Sequence, residues 1–280
     1  MNLDHGQMEG FRGCRCQKHR HARPFMGKSI AITTLGLGEA CARRAFALAF
    51  ECTDALAARL DTRGSDSELM RLWDAPAGFP VKVSDSLWHL LKLANEIAFR
   101  TDGLFDIAAT GSGGCAHWTD VDLSTRGYVR LRKPLRLDVG GLVKGYAADI
   151  AVQALREMGA KRGMVDTGGV MRAFGPQEWR VQYHLECGAQ PLPVPLAEGA
   201  LAGGGQPSGG LYDPRTDVLH SGHEWAAIRL MVRAGTASLA DGLAKVAMLA
   251  PSRAQALLPQ IGASVAMLTK EGAHALDYAS

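Results

Sequence analysis

Residues 135–149, with the sequence LRLDVGGLVKGYAAD, hold carboxylates, a glycine pair and a lysine within one short stretch. The stretch predicts a buried strand, then a turn at Gly140 and Gly141, then a helix that begins near Lys144. Glycine lets the main chain approach a ligand closely, and a helix N-terminus presents unpaired N–H groups with partial positive charge. The positive charge of Lys144 in the first turn is unfavourable to the helix dipole, so we expect Lys144 to interact with a ligand. A turn of this type suits an anionic ligand.

Asp138 lies just before the glycine pair and could accept a hydrogen bond from a hydroxyl group or a ring N–H. The pattern matches neither G-x-G-x-x-G nor G-x-x-x-x-G-K-[ST], so neither nucleotide-binding fingerprint is met. From these residues alone two interpretations stay open, a phosphate site and a tight corner between a strand and a helix.

The elements around this stretch mix helices and strands without strict βαβ alternation, which predicts an α+β fold. Hydrophobic spacing predicts helices over about 39–60, from a Ser84 cap to 101–103, over 144–159 and 238–249, and from Ser252. Strands are predicted at 29–36, as a pair around Pro134, and at 163–166, 179–185, 224–232 and 264–270. Proline and glycine at 187–210 predict a long surface loop. We expect one domain of mixed sheets and packed helices, a fold that can also divide into two lobes.

The composition is that of a globular protein, with 280 residues of which 47% are hydrophobic and 21% charged. A net charge of +3 is too small to indicate nucleic acid as the main partner. No apolar run approaches the roughly 18 residues of a transmembrane helix. Residues 11–28 carry Lys and Arg but no acidic residue, and no apolar core follows them as in a secretory signal. We therefore expect a disordered basic arm over 1–24 and a folded domain over 25–280. The segment suggests a cytoplasmic location, but the sequence leaves the compartment open.

The segment CRCQKHRH offers ligand types that zinc binds, in Cys14, Cys16, His19 and His21. Their spacing is too tight for the usual structural zinc patterns. A solvated basic tail is therefore favoured, and a metal-handling protein is kept as an alternative function of another class. The cysteines are scattered without C-x-x-C, which fits a reduced compartment.

Seven segments resemble motifs of the ApbE family of FAD:protein FMN transferases, in the family's order. LDVGGLVKGYAAD resembles the family's LDLGGIAKGYAVD, and the other six are FMGKSIAI, SDSELMRLW, TDGLFDIAATG, VDTGGVMRAFG, DPRTD and TASLADGLAK. Together they cover roughly residues 25–270. A single motif of this length would be weak evidence for the family, whereas seven motifs in the family's order are specific evidence.

Members of that family bind FAD and transfer its FMN half to a threonine or serine hydroxyl of an acceptor protein, with magnesium. The resemblance thus implies a transferase that releases AMP and acts on an acceptor flavoprotein. It implies that magnesium is bound by the main-chain oxygen of Gly141 and by the Asp241 carboxylate, which is also the candidate base for the acceptor hydroxyl. Carried over position by position, the residues implied to contact FAD are Met26, Leu104, Phe105, Asp106, Asp138 and Lys144.

Two positions depart from the family pattern. Lys245 stands where the family has a threonine one helical turn after Asp241, and we expect it to pair with Asp241 and to place its ammonium at the metal position. Three interpretations stay open: the charge replaces magnesium, the protein binds flavin without transferring it, or another ligand completes the metal site. Gly210 stands where the family has a histidine, for which His220 and His223 are candidate substitutes.

Each of these residues also has a plain structural interpretation. Without the resemblance, Asp241 would be a helix-surface carboxylate paired with Lys245, because such i,i+4 pairs are common. Phe105 would be a core residue. A non-catalytic FAD-binding carrier or regulatory protein is therefore the alternative to the transferase.

Overall fold

The computed structural model describes residues 17–63, 66–109, 116–183, 192–204, 211–220, 230–269 and 272–275. The helices within those residues are α1 Glu39–Leu60, α2 Glu68–Asp74, α3 Asp85–Arg100, α4 Val143–Glu157, α5 Ala237–Leu249 and α6 Pro251–Leu257. The strands are β1 Lys18–Phe25, β2 Lys28–Leu35, β3 Pro80–Lys82, β4 Val121–Asp122, β5 Tyr128–Leu131, β6 Arg162–Asp166, β7 Val170–Phe174, β8 Trp179–Tyr183, β9 Leu192–Leu196, β10 Gly199–Gly204, β11 Leu211–Asp213, β12 Val218–His220, β13 Leu230–Ala234, β14 Ser264–Thr269 and β15 Gly272–Ala275.

An eight-stranded sheet carries the fold, in the order β1-β2-β6-β7-β10-β13-β14-β15. Every neighbouring pair in it is antiparallel, so no βαβ crossover is needed. Helix α4 packs on β6 and β7, α5 packs on β10 and β13, and α1 covers α4 from outside. The α+β prediction is confirmed. None of the helices in the described ranges is long and apolar enough to cross a membrane.

The helices that the sequence predicts form with nearly the expected bounds because their signals are local. Ser84 caps α3 by accepting a hydrogen bond from the Leu87 N–H at 3.3 Å. Helix α1 covers the whole predicted range and buries one face, which includes Ala45, Phe46, Ala49 and Leu56.

The N-terminal prediction is wrong over residues 18–24, which form β1 and pair with β2 from Lys18↔Leu35 onward. An edge strand needs hydrogen bonds on one side only, so its charged side chains can remain in water. His19 contacts the Leu37 carbonyl at 3.0 Å, and the His21 ring lies edge-on to Phe50 at 5.5 Å. The two predicted cysteine ligands of the metal cluster, at 14 and 16, lie outside the described residues.

Two further predictions are corrected by long-range packing. Residues 135–139 alternate in burial as a strand would, with Leu135, Leu137 and Val139 inside, but they pair with no strand of the described chain. Part of the predicted loop over 187–210 forms β9 and β10. The small residues of β10 allow α5 to pack on one face, while Leu201 packs on the other against the β8–β9 hairpin.

Helices α4 and α5 touch at Gly145. A Cβ atom there would lie 2.2 Å from the Ala237 carbonyl oxygen and 2.7 Å from the Ser238 Cα. Both obstacles are main-chain atoms, which cannot move aside as a flexible side chain can. The close approach of the two helices therefore depends on a residue with no side chain.

We expect Gly145→Ala to lower the free energy of unfolding by about 1–3 kcal/mol, although alanine is the better helix former, because α5 must shift away. Gly235→Ala is the control, since a Cβ there meets no atom within 4 Å, and it should change stability by less than about 0.5 kcal/mol. Urea unfolding followed by circular dichroism measures both. Equal stability of the two variants would contradict the close contact.

Candidate active site

A cavity of about 360 Å³ lies between α5, the loop after α3 and the turn before α4. Its walls include the range 104–107, Asp138, Tyr212 of β11, and Lys245 of α5. We call this space the Lys245 cavity. Its volume falls within the range of small-molecule sites, and it combines apolar walls with a few converging charges.

The adjoining space, the Trp118 cavity, has a volume of about 570 Å³ and shares Asp106 and Pro214 with the Lys245 cavity. Phe99 and Trp118 meet edge to face in its wall, with ring centroids 6.1 Å apart. Arg215 also lines it. A two-part ligand could therefore extend from one cavity into the other.

The structure brings four of the six predicted FAD contacts to the Lys245 cavity. Leu104, Phe105, Asp106 and Asp138 line it. Leu104 and Phe105 are also core residues, with exposed fractions of 1% and 3%. The structural interpretation of Phe105 and its predicted role are therefore compatible.

Met26 lies apart from that lining, in the turn that joins β1 and β2, with a positive φ of 43° and an exposed side chain. Its neighbour Lys28 packs against Gly168, where an added Cβ would lie 3.1 Å from the lysine Cβ. The Thr167 hydroxyl donates to the main-chain oxygen of Lys144 at 3.2 Å. The hairpin turn, the loop at 167–169 and the start of α4 thus meet on one side of the site.

Asp138 ties the glycine turn together. Its Oδ1 accepts a hydrogen bond from the Gly140 N–H at 2.8 Å, and its own N–H donates to the Ile107 carbonyl at 2.8 Å. The second bond joins the turn to the loop after α3. The side chain is exposed and lines the cavity, so its carboxylate can meet a ligand.

The carboxylate of Asp106 accepts hydrogen bonds from main-chain N–H groups. Its oxygens accept from the N–H groups of Ala108 at 2.8 Å and Trp118 at 3.0 Å, and its side chain is almost fully buried. Burial raises the pKa of this carboxyl more than the two hydrogen bonds lower it. Asp106 therefore shapes the wall shared by the two cavities.

Asp241 is buried, with 6% of its surface exposed, so its interpretation as a helix-surface carboxylate is wrong. Its Oδ2 accepts from the Gly145 N–H at 3.0 Å, and its Oδ1 lies 3.7 Å from the Lys144 Nζ. The predicted pairing with Lys245 is also wrong, because Lys144 makes that ion pair from the neighbouring helix. Burial raises the pKa of Asp241, and the charges of Lys144 and Lys245 act against that rise.

Lys245 lies along Gly141. A Cβ atom on Gly141 would be 2.2 Å from the lysine Cε and 2.4 Å from its Nζ. In this position the end of the lysine occupies the space that a side chain at residue 141 would need. The ammonium of Lys245 therefore sits beside the residue whose main-chain oxygen is the predicted metal ligand.

The N-terminus of α4 has fewer free N–H groups than the sequence predicts. The Val143 N–H donates to the Val139 carbonyl at 3.1 Å, and the Gly145 N–H is taken by Asp241. Positive charge at this turn therefore comes mainly from the two lysines. Gly210 and His223 lie outside the described residues, while His220 pairs in β12 with Leu211, which lines the cavity.

Sequence reasoning missed Asp149, which holds the start of α5. Its carboxylate accepts hydrogen bonds from the N–H groups of Ala237 at 2.9 Å and Ser238 at 2.8 Å, and from the Ser238 hydroxyl. Arg172 pairs with it at 3.3 Å. The Thr236 hydroxyl accepts from the Leu239 N–H at 3.3 Å, and α5 has no acidic residue in its first turn. The other first N–H groups therefore need an acceptor from elsewhere, which is the signal that the sequence offers.

Comparison with known proteins gives a consistent family. A model described as the ApbE family matches residues 26–113 and 114–268. A relative from Klebsiella pneumoniae, named FAD:protein FMN transferase, is 25% identical and aligned over 88% of this chain and 83% of its own. One from Escherichia coli with the same name is 25% identical over 76% of this chain and 73% of its own.

Solved structures share the fold. The flavin transferase ApbE from Vibrio cholerae superposes with a TM-score of 0.75 at 18% identity, covering 92% of this chain and 96% of that one. An ApbE protein from Thermotoga maritima gives 0.76 at 20% identity, covering 94% and 98%. At such identities the likeness supports the fold alone.

We expect Asp149→Ala to lower the free energy of unfolding by about 2–4 kcal/mol, because it leaves main-chain donors of α5 and the buried Arg172 without this carboxylate. Asp149→Asn should lower the free energy of unfolding by a smaller amount. Asp54→Ala is the control, since that exposed side chain makes only a 3.9 Å pair with Arg23 and should cost about 0.5 kcal/mol or less. Urea unfolding compares them, and an equal cost for Asp149→Ala and Asp54→Ala would contradict the role.

Proposed function

The chain belongs to the ApbE family, and on that premise we propose that it is an FAD:protein FMN transferase. It moves the FMN half of FAD to a threonine or serine hydroxyl of an acceptor protein and releases AMP. The observation that carries the proposal is the Lys245 cavity, in which segments far apart in the sequence, each resembling a family motif, line one space. The relatives that bear this name support the same activity.

The cavity suits a dinucleotide because different parts of its wall are apolar, acidic and basic. Leu104 and Phe105 offer apolar surface to a ring system, and Asp138 offers an acceptor for a hydroxyl or ring N–H. Lys245, which lines the cavity, supplies positive charge for a diphosphate, and Lys144, which pairs with Asp241, adds positive charge at the neighbouring turn. The adjoining Trp118 cavity gives such a ligand room to extend.

In the proposed reaction the acceptor oxygen attacks the phosphorus of the FMN half. A new P–O bond forms, the bond to the bridging oxygen breaks, and AMP leaves with that oxygen. The lysine ammonium groups lower the repulsion between the diphosphate and the attacking oxygen, and they stabilise the charge on departing AMP. Asp241, which pairs with Lys144 at 3.7 Å and lies one helical turn before Lys245, is our candidate for the group that takes the proton of the hydroxyl.

A flavin-binding protein without transfer activity is the second candidate. It is favoured by Lys245, which stands in place of the family threonine, and by Gly210, which stands in place of the family histidine. Both candidates require FAD in the same cavity. They differ only in whether the diphosphate is cleaved.

The test mixes the purified protein with FAD and a flavoprotein fragment that carries threonine at its covalent FMN site, with and without magnesium. We expect covalent FMN on the fragment, seen by mass spectrometry, and an equal amount of AMP, seen by chromatography. Bound FAD without either product supports the second candidate. Absence of FAD binding would contradict both.

We expect Asp138→Asn to weaken FAD binding roughly tenfold, because the amide keeps the oxygen that holds the Gly140 turn but faces the ligand with a donor. Asp122→Asn is a matched control outside the site, since Asp122 Oδ1 accepts from the Ser124 N–H at 3.0 Å in a similar turn. Quenching of flavin fluorescence measures both. Equal affinities would rule out a direct contact between Asp138 and FAD.

A further inference from the structure

Lysine side chains face both of the residues that the family resemblance assigns to magnesium. We propose that the Lys245 ammonium takes the place of the divalent cation in this chain, so that its site works without bound metal. The inference rests on the proposed function, because it concerns the charge that a diphosphate meets in the cavity. It is a property of this chain's own residues.

The oxygen ligands that magnesium needs are already engaged. Magnesium requires near-octahedral oxygen coordination at about 2.0–2.1 Å. Asp241 gives one carboxylate oxygen to the Gly145 N–H at 3.0 Å and directs the other to the Lys144 Nζ at 3.7 Å. Within the described part of the chain, no group of three or more His, Cys, Asp and Glu side chains could hold a metal ion. The donor set therefore does not fit the ion.

The residue that supplies the second assigned ligand, Gly141, lies against the end of the Lys245 side chain. The positions of Cε and Nζ, 2.2 and 2.4 Å from where a Cβ of Gly141 would lie, bring the end of the lysine against the glycine turn. A divalent cation held by the Gly141 carbonyl would be close to this ammonium and would be repelled by it. With the lysine in this position, its charge disfavours a divalent cation at the same place.

Lys245 is also the lysine that remains available to a ligand. Lys144 pairs with Asp241, whereas Lys245 makes no ion pair among the described residues and lines the cavity. Asp241 lies one helical turn before it, and the opposite charges of the two groups attract each other. A positive charge is thus delivered to the cavity by a covalently attached group, which no chelator can remove.

The first test measures metal binding directly, without FAD or turnover. Mn²⁺ is titrated into flavin-free wild type and into Lys245→Thr, and free Mn²⁺ is followed by electron paramagnetic resonance. We expect no bound Mn²⁺ for wild type at millimolar concentration, and at least tenfold tighter binding by Lys245→Thr, which Asp241→Asn in that background removes. Comparable affinity in wild type and Lys245→Thr overturns the proposal, and so does a lack of binding in both.

The second test measures FAD affinity in EDTA and in magnesium. Wild type should show less than a twofold difference between the two conditions. Lys245→Met, which keeps the length and removes the charge, should bind FAD at least tenfold more weakly in both. Lys92→Met is the control, because Lys92 is exposed and lies over the Trp88 ring at 5.0 Å.

The two tests separate the inference from the proposed function. A wild-type protein whose FAD binding disappears in EDTA and returns with magnesium overturns the metal-free site while supporting the function. A protein that binds no FAD in any condition contradicts the proposed function, and the Mn²⁺ titration then still decides whether Lys245 excludes a metal.

Discussion

The contact between the start of α4 and the first turns of α5 is the constraint on which the site depends. Gly145 allows this contact, because any side chain at that position would clash with the main chain of Ala237. Across the same contact, the Gly145 N–H donates to the buried carboxylate of Asp241. A buried charge is costly unless it is hydrogen-bonded and paired, and the ion pair with Lys144 supplies the remaining compensation. The same contact between α4 and α5 therefore determines both the helix packing and the placement of charges at the site.

The supports of this contact lie outside the cavity. Asp149, one turn after Gly145 on α4, accepts from the first N–H groups of α5 and pairs with Arg172 of β7. The small residues of β10 let α5 lie close to the sheet on the other side. Rigid elements thus hold Lys245 and Asp241 at their positions, which is what a site needs if its charges are to be aligned before a ligand binds.

The demand on the site is electrostatic, and it can be met in more than one way. A diphosphate needs positive charge beside it, and a divalent ion and an ammonium group both provide that charge. An ammonium carries half the charge but needs no ligands, and its covalent attachment keeps it within reach of the site. In this chain the exchange requires room for a longer side chain, and Gly141 provides that room. The same glycine that suggests a metal ligand in the sequence therefore accommodates the lysine in the structure.

The sequence by itself determined the features whose causes are local. Helix α1, the Ser84 cap of α3 and the beginning of α4 follow from side-chain spacing and capping within a few residues. The ordered family motifs also indicated that 104–106 and 138 would belong to one site, and these residues do line one cavity. The tertiary structure alone decided the rest, because the partners come from distant segments. Residues 135–139 alternate like a strand yet pair with no strand among the described residues, while glycine-rich β10 becomes a central strand because α5 can pack closely on it. Asp241 pairs with Lys144 of another helix, and not with Lys245 four residues away, because spacing along a helix cannot show which charge approaches from outside or where a glycine leaves space.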